Sequence, residues 1–252
     1  MCVRAVKVTE VKQELIYKMS SSGEHSISVQ AVNGPYSHFI SLPLAIHREL
    51  VDKLNKFQDS ILESDDPLSD MRIDKSIFTK PESLHLTVLM LKLWNEDLVA
   101  KAEKVLQNVS SKVMETLQNR PVSIRLQGLD IMRGSWDKAQ VVYAPVEEIG
   151  SEGRLLRACH VIIDAFVEAG LVLDKDPKDR LKLHATVMNT IYRKWGQFNY
   201  FDGQSIFKQF GSEEWGEYVI REAHLSQRGK FDDNGYFHCC TSMPFPENVH
   251  VD

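Results

Sequence analysis

Cysteine is scarce in this 252-residue chain: Cys2, Cys159, Cys239 and Cys240 are the only four, and no two are spaced as a CxxC pair. Cys239 and Cys240 are adjacent and can hardly bridge each other, so neither a disulfide framework nor a zinc site is expected. Reduced thiols in an intracellular protein are the simple reading. Long apolar runs are missing too. Nothing approaches the roughly 18 residues of a membrane helix, so no membrane partner is expected. The opening stretch MCVRAVKVTEVKQELIYKM is charged throughout and lacks the apolar core of a secretory leader. Nor is there an excess of positive charge: a formal net charge of −5 excludes general polyanion binding and leaves only local patches for nucleic-acid contact.

What is present is 43% hydrophobic and 26% charged, enough to bury one large domain or two intimate lobes. Residues 1–35 read as an N-terminal extension, too short for a KH domain and without a GxxG loop. Residues 36–245 read as the body and 246–252 as a tail. Tyr36–Leu44 reads as an apolar strand. Leu50, Leu54, Phe57 and Ile61 then fall at helical spacing. After a second strand over Pro81–Lys92, Asn95 caps a helix whose stripe is Leu98, Ala102, Val105, Val109 and Val113. Strands follow over Val122–Met132 and Lys138–Val146. A helix capped by Ser151 turns Leu155, Cys159, Ile162 and Phe166 inward and ends at Gly170. Leu181–Thr190 is a further strand, Gln204–Phe210 a short helix, and Tyr218–Gln227 with Tyr236–Met243 a hairpin turned by Asp232-Asp233-Asn234-Gly235. Two strand–helix–strand units imply an α+β chain of two related lobes, each an antiparallel sheet with its helices outside. Loop lengths and residues differ too much to establish a repeat.

Each unit ends on the same short pattern, His85-Leu86-Thr87 and His184-Ala185-Thr186. Residues i and i+2 of a strand share a face, so each pattern projects an imidazole and a hydroxyl side by side. Two such strands facing one another would converge two histidines and two threonines on one volume. One imidazole then takes a proton from an attacking oxygen and the other gives one to the departing oxygen, while the hydroxyls hold the phosphate. This chemistry needs no metal or cofactor. Nine histidines and seven threonines yield roughly a quarter of such a match by chance. A lone strand histidine is more often structural; the pair in equivalent slots tilts the balance toward function.

The stretches SLHLTVLML and KLHATVMNT resemble the paired motifs of the two-histidine, LigT-like phosphoesterase superfamily. IDKSIFTKPESLHLT, LKLHATVMNT and HLSQRGKFDDNGYFHC are similar to its branch of activating-signal-cointegrator-complex subunits. The resemblance implies a bilobal fold with pseudo-twofold symmetry and a central cleft. It implies catalytic His85 and His184, phosphate-binding Thr87 and Thr186, and action on RNA ends or nucleotides such as a 2′,3′-cyclic phosphate. It also implies a place among subunits of an activating signal cointegrator complex concerned with transcription and RNA or DNA repair, in the nucleus and also the cytoplasm. A non-catalytic nucleotide- or RNA-binding module in such a complex is the alternative.

Weaker candidates surround the pair. Tyr36 and His38 on the first strand could line the cleft or simply pack. Lys182 leads into the second motif. Arg193 and Trp195 belong to a loop in which cations and aromatics interleave, as in single-strand binders. His224-Leu225-Ser226 repeats the histidine–hydroxyl spacing outside the equivalent slots and reads as structural.

Overall fold

The structure is a computed structural model that describes residues 34–64, 68–150, 153–172, 181–193 and 198–247. The expected extension, except Gly34 and Pro35, and most of the expected tail lie outside the described residues. Strand β1 (His38–Pro43) is buried along its length. Helix α1 (Arg48–Leu62) buries Leu50, Leu54, Phe57 and Ile61, the stripe its apolar spacing dictates. A short helix α2 (Leu68–Met71) and two 3-10 turns, Lys75–Ile77 and Pro81–Ser83, lead into β2 (His85–Leu91).

Asn95 does cap the next helix, its side chain accepting the Leu98 N–H at 2.9 Å. That helix breaks at Val109 into α3 (Glu96–Asn108) and α4 (Ser110–Thr116). Its buried residues are Ala102, Leu106, Val109 and Val113, while Leu98 and Val105 pack only at the margin of the core. The single strand expected over Val122–Met132 is two, β3 (Val122–Gln127) and β4 (Asp130–Arg133). Gly128 divides them with φ 72°, and a Cβ there would stand 2.8 Å from the Gly211 carbonyl oxygen, so only glycine fits.

Next come β5 (Val141–Glu148), α5 (Arg154–Glu168), β6 (His184–Asn189) and α6 (Gln204–Phe210). Three strands close the body, β7 (Glu214–Ile220), β8 (Glu222–Phe231) and β9 (Phe237–Pro244), so the strand expected from Tyr218 is divided at Arg221. The expected cap Ser151 lies outside the described residues. Gly170, at φ 68°, ends α5, where the Leu171 N–H donates to the Phe166 carbonyl at 3.0 Å. Six fully buried apolar side chains of α5, from Leu155 to Phe166, each contribute about 1–3 kcal/mol of burial.

The strands run in the order β7-β3-β5-β6-β2-β1-β8-β9, with β4 on β5, and every pairing is antiparallel. The fold is α+β. Its two halves, β9-β8-β1-β2 and β6-β5-β3-β7, meet at the pair Leu86 opposite Ala185, with a separate bridge from Phe78, ahead of β2, to Met188. The halves are related in detail. His85 stands opposite Pro43, and His184 opposite Pro145. A register irregularity follows each at the matching place, between Ile40 and Ser41 and between Val142 and Tyr143. The duplication invisible in residue identities is thus present in cross-strand pairing.

Candidate active site

The seam between the halves builds the site. Leu42, Leu86, Ala185 and Ala144 form one rung across four strands and are 0–1% exposed, facing the apolar core. Alternation therefore turns His85, Thr87, His184 and Thr186 to the other face, where all four are half-buried. Continuing the antiparallel register by one residue sets His85 opposite Thr186 and Thr87 opposite His184. The histidines are then diagonal partners with Cβ atoms roughly 7–8 Å apart.

Both imidazoles are anchored alike. The His85 Nδ1 lies 2.8 Å from the Ser83 carbonyl, and the His184 Nδ1 lies 2.6 Å from the Lys182 carbonyl. A carbonyl only accepts, so each Nδ1 carries the proton and each Nε2 offers a lone pair. The Thr87 hydroxyl is 3.1 Å from the His85 Nε2 and can donate to it.

The surroundings differ. His85 packs against Phe39, with ring centroids 5.0 Å apart, and edge-on against Phe237 at 5.4 Å. Burial holds its pKa down to about 4, helped by the charge of His184 and opposed by the Ser83 carbonyl. His184 meets the edge of Tyr143, centroid to centroid 5.4 Å. The Tyr143 hydroxyl donates to Asp130 Oδ2 at 2.5 Å and accepts from the Lys182 ammonium, which lies 3.8 Å from the same carboxylate. The His184 pKa is also lowered, first by burial and then by the Lys182 charge, against the pull of the Lys182 carbonyl. Lys182 thus holds His184 by its backbone and the neighbouring Tyr143 by its side chain. In the other half, Ser41 takes the place of Tyr143 and contacts the Ser226 hydroxyl at 2.9 Å and that of Tyr236 at 3.1 Å.

The structure brings His85, Thr87, His184, Thr186 and Lys182 together. It does not bring the rest. His38 lies five residues from Pro43, roughly 16 Å along the strand. Because Phe39 contacts His85, His38 points to the opposite face. Tyr36 is farther still, its ring beneath the Lys92 ammonium at 5.4 Å. Arg193 is not a free cation: its side chain is 5% exposed and binds Asp74 at 3.0 Å. It also donates to the carbonyls of Phe198 at 2.7 Å, Tyr200 at 3.0 Å, and Arg72. The loop begins at the far end of β6 from His184, so position and bonding both make Arg193 a loop clamp. Trp195 lies outside the described residues. His224 contacts Glu222 at 3.1 Å and Ser226 is fully buried, which keeps that pair in the packing. Phe39, Phe237, Tyr143 and Asp130 escaped the sequence reading, since each acts through a cross-strand or hairpin neighbour.

Known proteins match this architecture. Activating signal cointegrator 1 complex subunit 1 of Mus musculus is 28% identical over 230 residues, covering 84% of this chain and 63% of the mouse protein. The chain therefore spans under two thirds of that relative's length. An RNA 2′,3′-cyclic phosphodiesterase of Archaeoglobus fulgidus is 28% identical over 148 residues, 59% of this chain and 72% of the archaeal one. The solved structure of TT0787 of Thermus thermophilus shares the fold with a TM-score of 0.50 at 17% identity, over 82% of this chain and 97% of that one. The profile of the AKAP7 2′5′ RNA ligase-like domain matches residues 36–245. The chain belongs to that family, among the LigT-like two-histidine phosphoesterases.

Proposed function

We propose that this protein is a metal-independent cyclic phosphodiesterase acting on RNA ends or nucleotides. The observation that carries the reading is the matched anchoring of His85 and His184, which leaves two Nε2 atoms on one face of the sheet, diagonal across the Leu86–Ala185 rung. In the proposed reaction on a 2′,3′-cyclic phosphate, a water oxygen bonds to phosphorus and one P–O bond to the ribose breaks. His85 takes the water proton, and His184 gives a proton to the departing ribose oxygen. His85 is assigned the base because its aromatic surroundings keep it neutral. His184 is assigned the acid because it borders the polar cluster of Asp130, Tyr143 and Lys182. Thr87 and Thr186 hold the non-bridging oxygens and Lys182 adds positive potential. The archaeal relative's name supports the substrate class, and the mouse relative's name supports work as a subunit of an activating signal cointegrator complex.

The test is a panel of cyclic nucleotides and short RNAs with defined ends, assayed by single turnover and by equilibrium titration, with and without EDTA. His85→Ala and His184→Ala should each lower turnover by about 10²- to 10⁴-fold with binding within a few-fold. Thr87→Val and Thr186→Val should weaken both. Wild-type rates in the histidine variants would end the proposal. Loss confined to affinity, with no turnover in the wild type, would establish the binding module instead.

A further inference from the structure

The opposite face of the sheet carries a second cavity, of about 560 Å³, between β1, the β8–β9 hairpin and the start of α3. His38 lines it while only 4% exposed. Its Nδ1 lies 3.0 Å from the Ser37 hydroxyl, and its Nε2 makes no hydrogen bond among the described residues. His238 lines the cavity too, and its Nδ1 is 2.7 Å from Asp232 Oδ1, which leaves Nε2 as the free ring nitrogen. Burial, with the charge of His238 beside it, holds the His38 pKa below its ordinary value. His38 therefore meets the cavity as a neutral imidazole.

Across from the histidines, Glu96 and Glu103 reach the cavity from α3. They are seven residues apart, two turns of helix on one face. Neither carboxylate pairs with a cation among the described residues. At the hairpin edge, Cys240 feels the charge of the Lys230 ammonium. Trp94, 36% exposed, supplies an aromatic ring at the rim. Two carboxylates and a ring around an open pocket suit a guanidinium on an aliphatic stem.

We propose that this cavity docks a basic peptide segment of a partner protein, seating an arginine side chain between Glu96 and Glu103 with its guanidinium toward Trp94. The inference is independent of the chemistry assigned to the histidine cleft. A nucleic-acid strand would bring phosphates against two carboxylates, which charge disfavours. A bare metal ion would need converging ligands, and no group of three among the described residues provides them.

The experiment titrates the whole chain with an acetylated pentapeptide of alternating alanine and arginine, followed by calorimetry and by the Trp94 indole N–H resonance. The control peptide carries citrulline, which keeps the shape of arginine and removes its charge. Saturable binding that moves the Trp94 signal is expected. Affinity should fall at least about tenfold for the citrulline peptide and for the Glu96→Gln/Glu103→Gln variant, since a desolvated charge pair contributes on the order of a tenfold change or more. Ala100→Trp, which fills the cavity without altering charge, should abolish binding while the urea unfolding curve stays cooperative. Equal affinity for both peptides, wild-type affinity in the double glutamine variant, absence of saturable binding, or competition by AMP would each overturn the proposal.

Discussion

Replacing His85 by asparagine separates the energetics of the histidine from its chemistry. In the folded chain the ring sits between Phe39 and Phe237 with its pKa near 4, against an ordinary 6.5. Below pH 6.5 the unfolded chain binds a proton that the folded chain refuses until about pH 4. Stability therefore falls as pH drops through that window and is unaffected by this group above it. Each pH unit inside the window costs about 1.4 kcal/mol. Between about pH 7.5 and about pH 4.5 the full effect approaches about 2.5 kcal/mol, or about 2 kcal/mol once the ring's partial exposure is allowed for. The asparagine variant keeps an amide that can donate to the Ser83 carbonyl but has nothing to titrate. Urea unfolding of both proteins at the two pH values measures the difference. The wild type should lose about 2 kcal/mol more than the variant on acidification, while the other histidines contribute equally to both. Parallel losses would mean that the ring is not desolvated in the folded chain, and the case for a neutral base in an aromatic enclosure would fall with it.

Other outcomes follow from the same geometry. Turnover needs His85 deprotonated, above about pH 4, and His184 protonated, below a pKa already lowered from 6.5, so the profile of kcat/KM should peak on the acid side of neutrality; a peak above pH 7 would contradict the lowered pKa values on which the pair's protonation states rest. Tyr143→Phe removes the hydroxyl bridging Asp130 and Lys182 and should lower stability by about 1.5–3 kcal/mol and kcat by about tenfold. Wild-type kcat in that variant would reduce the cluster to packing. Arg193→Ala strands Asp74 and three carbonyls and should cost about 3 kcal/mol by chemical unfolding, with KM unchanged in the folded fraction; a raised KM would return Arg193 to the substrate path.

Local chemistry was legible in the letters wherever one element decides its own form. The apolar stripe of α1, the Asn95 cap and the Gly170 terminus depend on neighbours within one or two turns, and each formed as read. Alternation also correctly placed His85 beside Thr87 and His184 beside Thr186 on one face. Cross-strand matters were not legible. The break at Gly128 answers to the Gly211 carbonyl, far along the chain, and the pairing of Pro43 with His85 and Pro145 with His184 is a property of register. Alternation alone put His38 and Phe39 on opposite faces, but only the position of Phe237 and His85 decides which face holds the cleft. Arg193 misled because a cation among aromatics reads the same whether it serves a ligand or, as here, four acceptors of its own protein.

The strand order has a consequence for biosynthesis. The half containing His184 is one continuous stretch, Val122 to Ile220, inserted into a half made of β1 and β2 from one end of the body and β8 and β9 from the other. A ribosome releases those parts in sequence, and domains generally fold as they emerge. His184 and its Tyr143–Asp130–Lys182 support are therefore all synthesised before Phe237, the ring that closes around His85, exists. A nascent chain, or one clipped before β9, carries one histidine in finished surroundings and one still open to water. The pair becomes a matched pair only once β9 has been made.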